Sequence, residues 1–236
     1  MLCTDTGGSS EPGMGKRTNT ILAMTVIREI QNNNPEKALD ALEKLLRERP
    51  REVALMNLKG VCLDMIGRHN ESLEYYEQVL HIESDSAIYW NNKGLALQNL
   101  GRYSEAEQSY LEALDRDEDS LEATYNLANT FQSLGRTQES LSFYDKALFI
   151  RPDHLLALLN KGNALASLQQ FEEAIACYTE ILEIKPDSPD AAYNIAHTYE
   201  ESGKISEARK WYKKTLQIDP EYSHAKDQLA GLKEPL

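Results

Sequence analysis

Asn92, Asn126, Asn160 and Asn194 recur at a constant step of 34 residues (126 − 92 = 34). A carboxamide has one acceptor oxygen and two donor hydrogens, so it can pair with both the N–H and the C=O of a peptide bond. Asparagines repeated at a fixed step can therefore form a ladder that grips an extended backbone regardless of its side chains. Asn129, Asn163 and His197 follow three places after the ladder positions, and Tyr125 and Tyr193 stand immediately before two of them. These residues, Asn92 to Asn194 with Tyr125, Tyr193 and His197, are the candidate peptide-binding set. Each contact contributes about 1 kcal/mol net, and ordering a peptide costs a comparable amount, so micromolar affinity is expected. The same asparagines can instead hydrogen-bond within or between repeats, and composition alone leaves both uses open.

No residue pattern supports catalysis. The chain has no Gly-rich phosphate loop, no HExxH, and no Ser, Cys or Thr with a base at a supporting spacing. His69, His81, His154, His197 and His224 fall at unrelated places in the repeat. Cys3, Cys62 and Cys177 are odd in number and far apart, which supports neither a disulfide framework nor a metal site. The expectation is a non-enzymatic protein without metal or cofactor.

Asp and Glu number 38 against 25 Lys and Arg, for a net charge of −13. That balance disfavours duplex nucleic acid and anionic membrane as partners, because both need clustered cations. Apolar stretches are far too short for a membrane span, and the amino terminus lacks the apolar core of a signal peptide. A cytoplasmic protein with reduced thiols is expected.

The elements that must position the asparagines follow the same step. Gly60, Gly94, Ala128, Gly162 and Ala196 share one place in the repeat, and Tyr76, Tyr110, Tyr144, Tyr178 and Tyr212 share another. A period of this length marks stacked supersecondary units. Within 87–120, Trp90, Gly94 and Leu97 form one helical stripe, and Ala106, Tyr110, Ala113 and Leu114 a second. Gly101 lies between them, and Gly67, Gly135 and Gly203 occupy the equivalent turn, with Asn33 and Gln169 as exceptions. Pro152, Pro186 and Pro220 stop the second helix, and Ser104 and Ser206 stand where they could cap its start. The small residues at the Gly60 place and at Ala106, Ala174 and Ala208 let the two helices cross closely. The tyrosines are expected where one repeat meets the next.

The pattern of aromatic, Gly, Leu, Ala, Tyr, Ala and Pro over 34 residues resembles the tetratricopeptide repeat (TPR). The resemblance covers residues 19–222 and implies an all-α fold, an α-solenoid in which antiparallel helix pairs wind into a right-handed superhelix. Six repeats are framed at 19–52, 53–86, 87–120, 121–154, 155–188 and 189–222, after a flexible leader over 1–18 and before a C-terminal capping helix and tail over 223–236. Two departures stand out. Val26 replaces the small residue of the first repeat, which predicts a wider helix pair there. Lys59, Lys93 and Lys161 replace the usual Leu before the glycine, with buried stems and amines reaching water.

In the family the first helices line a concave groove, which implies that the asparagine set faces a ligand. The groove would be apolar at its start (Met24, Ile27, Leu58, Val61, Met65), rich in amides at its middle, and at its end would offer Tyr125, Leu159, Tyr193 and His197 ringed by Asp190, Glu200 and Glu201. Such a gradient suits a protein or peptide partner that is apolar at one end and basic at the other. The family's basic clamp for acidic chaperone tails lacks its cations here, since Ala54, Ile88 and Leu156 stand at one of its places. Two functional readings follow: an adaptor that binds an extended segment in the groove, or a structural subunit. The second would self-associate or dock a fixed partner through the apolar first repeat, which is expected to lack a polar cap.

Overall fold

The structure, a computed structural model, describes residues 12–232, and these hold thirteen α-helices and no strand. The chain divides into two compact bodies, one ending at Gly101 and the other starting at Arg102. The first body contains α1 (Pro12–Gln31), α2 (Pro35–Glu48), α3 (Val53–Met65), α4 (His69–Ile82) and α5 (Ala87–Asn99). The second contains α6 (Tyr103–Arg116), α7 (Leu121–Ser133), α8 (Thr137–Ile150), α9 (Leu155–Ser167), α10 (Phe171–Ile184), α11 (Pro189–Glu201), α12 (Ile205–Ile218) and α13 (Ser223–Gly231). Within each body every helix packs on the next in sequence, as short connections between antiparallel helices require.

From Val53 onward the helix starts keep the 34-residue step: α3, α5, α7, α9 and α11 open the framed repeats at their first residue. The turns between paired helices explain the glycines. Gly67, Gly101, Gly135 and Gly203 have φ of 73–77°, and Asn33 and Gln169 adopt the same left-handed conformation at 55° and 61°. Asparagine tolerates that region well and glutamine does not. Helices α8, α10 and α12 each end two residues before the expected proline.

Several expectations change. Ser104 and Ser206 do not cap α6 and α12, whose N-caps are Arg102 and Lys204. Arginine takes over at three starts: Arg68, Arg102 and Arg136 each form a two-pronged bond to the Glu three residues on, such as Arg102 to Glu105 at 2.7 and 2.6 Å. Side-chain caps instead serve the first helices, from Ser120, His154 and Ser188. At the amino terminus, α1 runs back to Pro12, so the expected flexible leader is helical over 12–18, while residues 1–11 lie outside the described residues. Proline suits a helix's first turn, where its missing N–H is not needed, and extending an existing helix costs far less than nucleating one.

The small residues also meet a different neighbour than expected. A Cβ on Gly60 would come within 2.6 Å of the Tyr76 ring, and one on Gly162 within 2.5 Å of Tyr178. Each tyrosine thus lies across the glycine of its own repeat. In the first repeat the pair becomes Val26 and Leu42, both fully buried in one core with Ala38, Leu39 and Leu45. Bulk has moved from the tyrosine place to the glycine place, so Val26 is matched by a smaller partner.

The lysines before the glycines reach across to the preceding repeat. Lys59 pairs with Glu43 and Lys93 with Glu77, each at 3.5 Å, and Lys161 with Asp145 at 2.6 Å. The amines therefore end in ion pairs, with the Asp145 carboxylate holding the Lys161 ammonium above its usual pKa against the opposing effect of burial.

Candidate functional site

The buried tyrosine hydroxyls organise the inner face of the first helices. Tyr144 donates to Asn129 Oδ1 and Tyr178 to Asn163 Oδ1, both at 2.7 Å. In two repeats without asparagine at that place, those of Tyr76 and Tyr212, the hydroxyl turns to a carboxylate one helical turn on. Tyr76 donates to Asp64 Oδ2 at 2.9 Å, and Tyr212 to Glu200 Oε2 at 2.6 Å. Burial pushes all four hydroxyls well above the ordinary tyrosine range, so they stay protonated donors.

In the second body Tyr125, Asn129, Asn160 and Asn163 come together. Asn160 spends both Nδ2 hydrogens on its predecessor repeat, donating to the Tyr125 hydroxyl at 3.0 Å and to Asn129 Oδ1 at 2.9 Å. Asn129 Oδ1 thus accepts twice and is saturated. What remains to a ligand is specific: the Nδ2 donors of Asn129 and Asn163 and the Oδ1 acceptor of Asn160. With Gln132, Tyr144 and Ser167 they line a shallow cavity of about 320 Å³ between α7 and α9. An amide row of this kind presents donors to peptide carbonyls and an acceptor to a peptide N–H.

Farther along, Tyr193 sits in an aromatic cluster. Its ring centroid is 6.0 Å from His197 and 5.7 Å from Tyr212, and Tyr222 and His224 approach it from the start of α13 at 5.3 and 6.2 Å. His197 Nδ1 lies 3.7 Å from Glu201. Tyr222 in turn donates to Asp190 at 2.9 Å, and burial helped by Glu200 raises the Tyr193 pKa.

The remaining predicted residues are distributed differently. Asn194 is half-buried on α11, its carboxamide has no bond among the described residues, and Leu159 stands where Tyr125 serves Asn160. Asn126 is half-buried on α7, and its backbone carbonyl accepts from Thr130 at 2.9 Å. Asn92 belongs to the first body, where it donates to Asn57 Oδ1 at 2.9 Å. Asn92 and Asn160 thus tie their repeats to the one before. Gln132, Ser167, Tyr222 and His224 were missed. The first two each recur in only one other repeat, as Gln98 and Ser133, and Tyr222 and His224 stand outside the periodic asparagine places. The first body's Asp64, which also accepts from Ser72 and His69 at 2.5 and 2.9 Å, was missed for the same reason.

Models of the tetratricopeptide repeat match residues 24–87, 85–153, 119–187 and 153–221. The chain belongs to the tetratricopeptide repeat family. Among solved structures, this TPR protein is similar to YrrB, described as a TPR protein with an unusual peptide-binding site. The two are 21% identical with a TM-score of 0.67, over 81% of this chain and 98% of YrrB. It is also similar to PilW, a type IV pilus biogenesis factor, at 17% identity and a TM-score of 0.80 over 91% and 99% of the two chains. The pilF protein of Pseudomonas aeruginosa is 17% identical with a TM-score of 0.76 over 92% and 98%. At such identities these likenesses show the fold. No curated protein matches the sequence. TPR arrays are protein-interaction scaffolds rather than catalysts, and among the described residues no helix is long and apolar enough to cross a membrane.

Proposed function

We propose that this TPR protein is an adaptor that holds an extended peptide segment on the α7–α9–α11 face of its second body. The observation that carries the reading is the set of unspent amide groups, Asn129 Nδ2, Asn163 Nδ2 and Asn160 Oδ1, fixed by the tyrosines behind them. Rigid donors lose little entropy on binding, which favours a weakly bound main chain. Tyr125, Tyr193 and His197 flank the amides and supply side-chain contacts, with Glu200 and Glu201 favouring a basic residue at that end. The protein acts without metal or cofactor and in the cytoplasm.

Peptides selected from a displayed library should bind the wild type at micromolar Kd and the Asn129→Asp/Asn163→Asp protein at least about tenfold more weakly. Aspartate keeps the acceptor that each tyrosine needs, as Asp64 does for Tyr76, but removes the donors. Equal binding to both proteins would refute the reading.

One observation favours the second reading, a subunit that assembles through its first repeat. Ile21, Met24 and Ile27 on α1 are 64%, 66% and 54% exposed. If the subunit self-associates, Ile27→Asp turns a concentration-dependent oligomer into a monomer, and a wild type that sediments as a monomer at all concentrations excludes self-association.

A further inference from the structure

Helix α12 departs from the charge of the rest of the chain. It carries Arg209, Lys210, Lys213 and Lys214 against the single carboxylate of Glu207, in a protein of net charge −13. At the places of Lys210, Lys213 and Lys214, α4 has Glu74, Glu77 and Gln78, and α10 has Ala176, Thr179 and Glu180. No earlier second helix has more than one cation at these three places. All three lysines are exposed, and none forms an ion pair among the described residues. Nearby Lys204 and Lys226 are paired, with Glu172 at 2.7 Å and Glu221 at 3.0 Å.

The lysines surround a built surface. With Ser206, Arg209, Trp211 and Gln217 they line an open hollow of about 600 Å³. Lys214 Nζ lies 4.2 Å from the centre of the Trp211 ring. Arg209 is held in place by donating to the Leu232 carbonyl at 2.6 Å, which ties α12 to the end of α13.

We propose that the outer face of α12 is a second docking surface, for an acidic peptide segment that carries an apolar residue to set against Trp211. The size of the patch selects the class of partner. From Ser206 to Gln217 the stripe is about 16 Å long, and beyond it the protein is acidic. Removing the +3 of α12 from −13 leaves −16 for the remainder. A duplex nucleic acid or an anionic bilayer spreads its charge over many Debye lengths of about 8–10 Å, so it meets that acidic surround as well as the lysines. A short acidic peptide confines its charge to the stripe. Lysine ammonium groups are point charges on flexible stems, which suits carboxylates whose spacing is not fixed in advance. The tryptophan adds an apolar contact with a set position. This surface and the asparagine face use different helices, so one adaptor could hold two chains of opposite character.

The test uses the full chain and a fluorescently labelled glutamate-rich peptide containing two leucines. Wild type should bind it saturably and less tightly as salt rises. The Lys210→Glu/Lys213→Glu/Lys214→Glu protein should bind at least about tenfold more weakly, with the corresponding triple Gln protein in between. Both variants should retain wild-type helicity and asparagine-face peptide binding. Equal peptide binding by all three proteins would overturn the proposal. So would binding of phosphatidylserine vesicles without the peptide, which assigns the patch to a membrane. A concentration-dependent mass abolished by the charge reversal would also overturn it, by assigning the patch to a second copy of the chain.

Discussion

Each buried tyrosine needs one acceptor, and the residue that supplies it decides what its neighbours can offer a ligand. Where Asn129 and Asn163 accept from Tyr144 and Tyr178, their Nδ2 groups are turned outward as fixed donors. Where Asp64 and Glu200 accept instead, no such donor is presented. Replacing Tyr178 by Phe should cost about 1 kcal/mol of stability and weaken peptide binding by freeing Asn163 to rotate, read from denaturant melts and titrations of the same protein. The left-handed turns make a second prediction at this scale. Gln169 holds φ at 61° where four other repeats have glycine. Gln169→Gly should raise stability by up to about 1 kcal/mol, the relief of left-handed strain less the added entropy of glycine in the unfolded chain. An unchanged or lower denaturant midpoint would show that the glutamine is not strained. The asparagine step was legible in the sequence because it is periodic. Which hydrogen of Asn160 meets which oxygen was not, because that depends on rotamers and on residues in the adjacent repeat such as Tyr125 and Leu159.

Helices are paired by choices that compensate one another. Lys161 meets Asp145 across the α8–α9 contact, whereas the equivalent places between α6 and α7 hold Leu127 and Leu111. An ion pair and an apolar pair thus serve the same junction. Lys161→Leu alone should destabilise the second body, because it leaves Asp145 facing an apolar side chain. Adding Asp145→Leu should recover the loss, with a coupling of at most about 1 kcal/mol for so exposed a carboxylate. Additive effects in that double-mutant cycle would contradict the account. Val26 and Leu42 show the same logic in the first repeat. The starts of the first helices from Val53 onward and the stops of the second were legible here, since every repeat must supply its own apolar stripe, turn and stop. The Ser104 and Ser206 caps misled because serine within a first turn resembles a cap, and only the backbone shows that α6 and α12 are capped two residues earlier.

For the whole molecule, five repeats that share one buried tyrosine give a shared response to pH. Burial holds Tyr76, Tyr144, Tyr178 and Tyr212 protonated where an unfolded chain would ionise. Because these folded-state pKa values are raised, their contribution is complete below about pH 10 and is lost as pH rises further. Helix loss should therefore accompany the last part of tyrosinate formation in alkali, and ionisation of all twelve tyrosines near pH 10 in a fully helical protein would contradict this. On the acid side Glu71, Glu139 and Glu172 are held low by Arg68, Arg136 and Lys204. Their contribution is present above the ordinary carboxylate value of about 4.3 and fades as pH falls below it, and their exposure keeps that limb shallow. Charge is uneven as well: an acidic molecule carries one basic helix face, so partners of opposite sign would be sorted to different surfaces.

The central claim, that Asn129 and Asn163 donate to a bound peptide main chain, is tested most directly by NMR of their side-chain amide protons during titration with a library-selected peptide. The account predicts that both NH₂ groups shift and gain protection from solvent exchange as the peptide saturates, while the Asn194 amide shifts less. Peptide binding that leaves the Asn129 and Asn163 amides unmoved would contradict it.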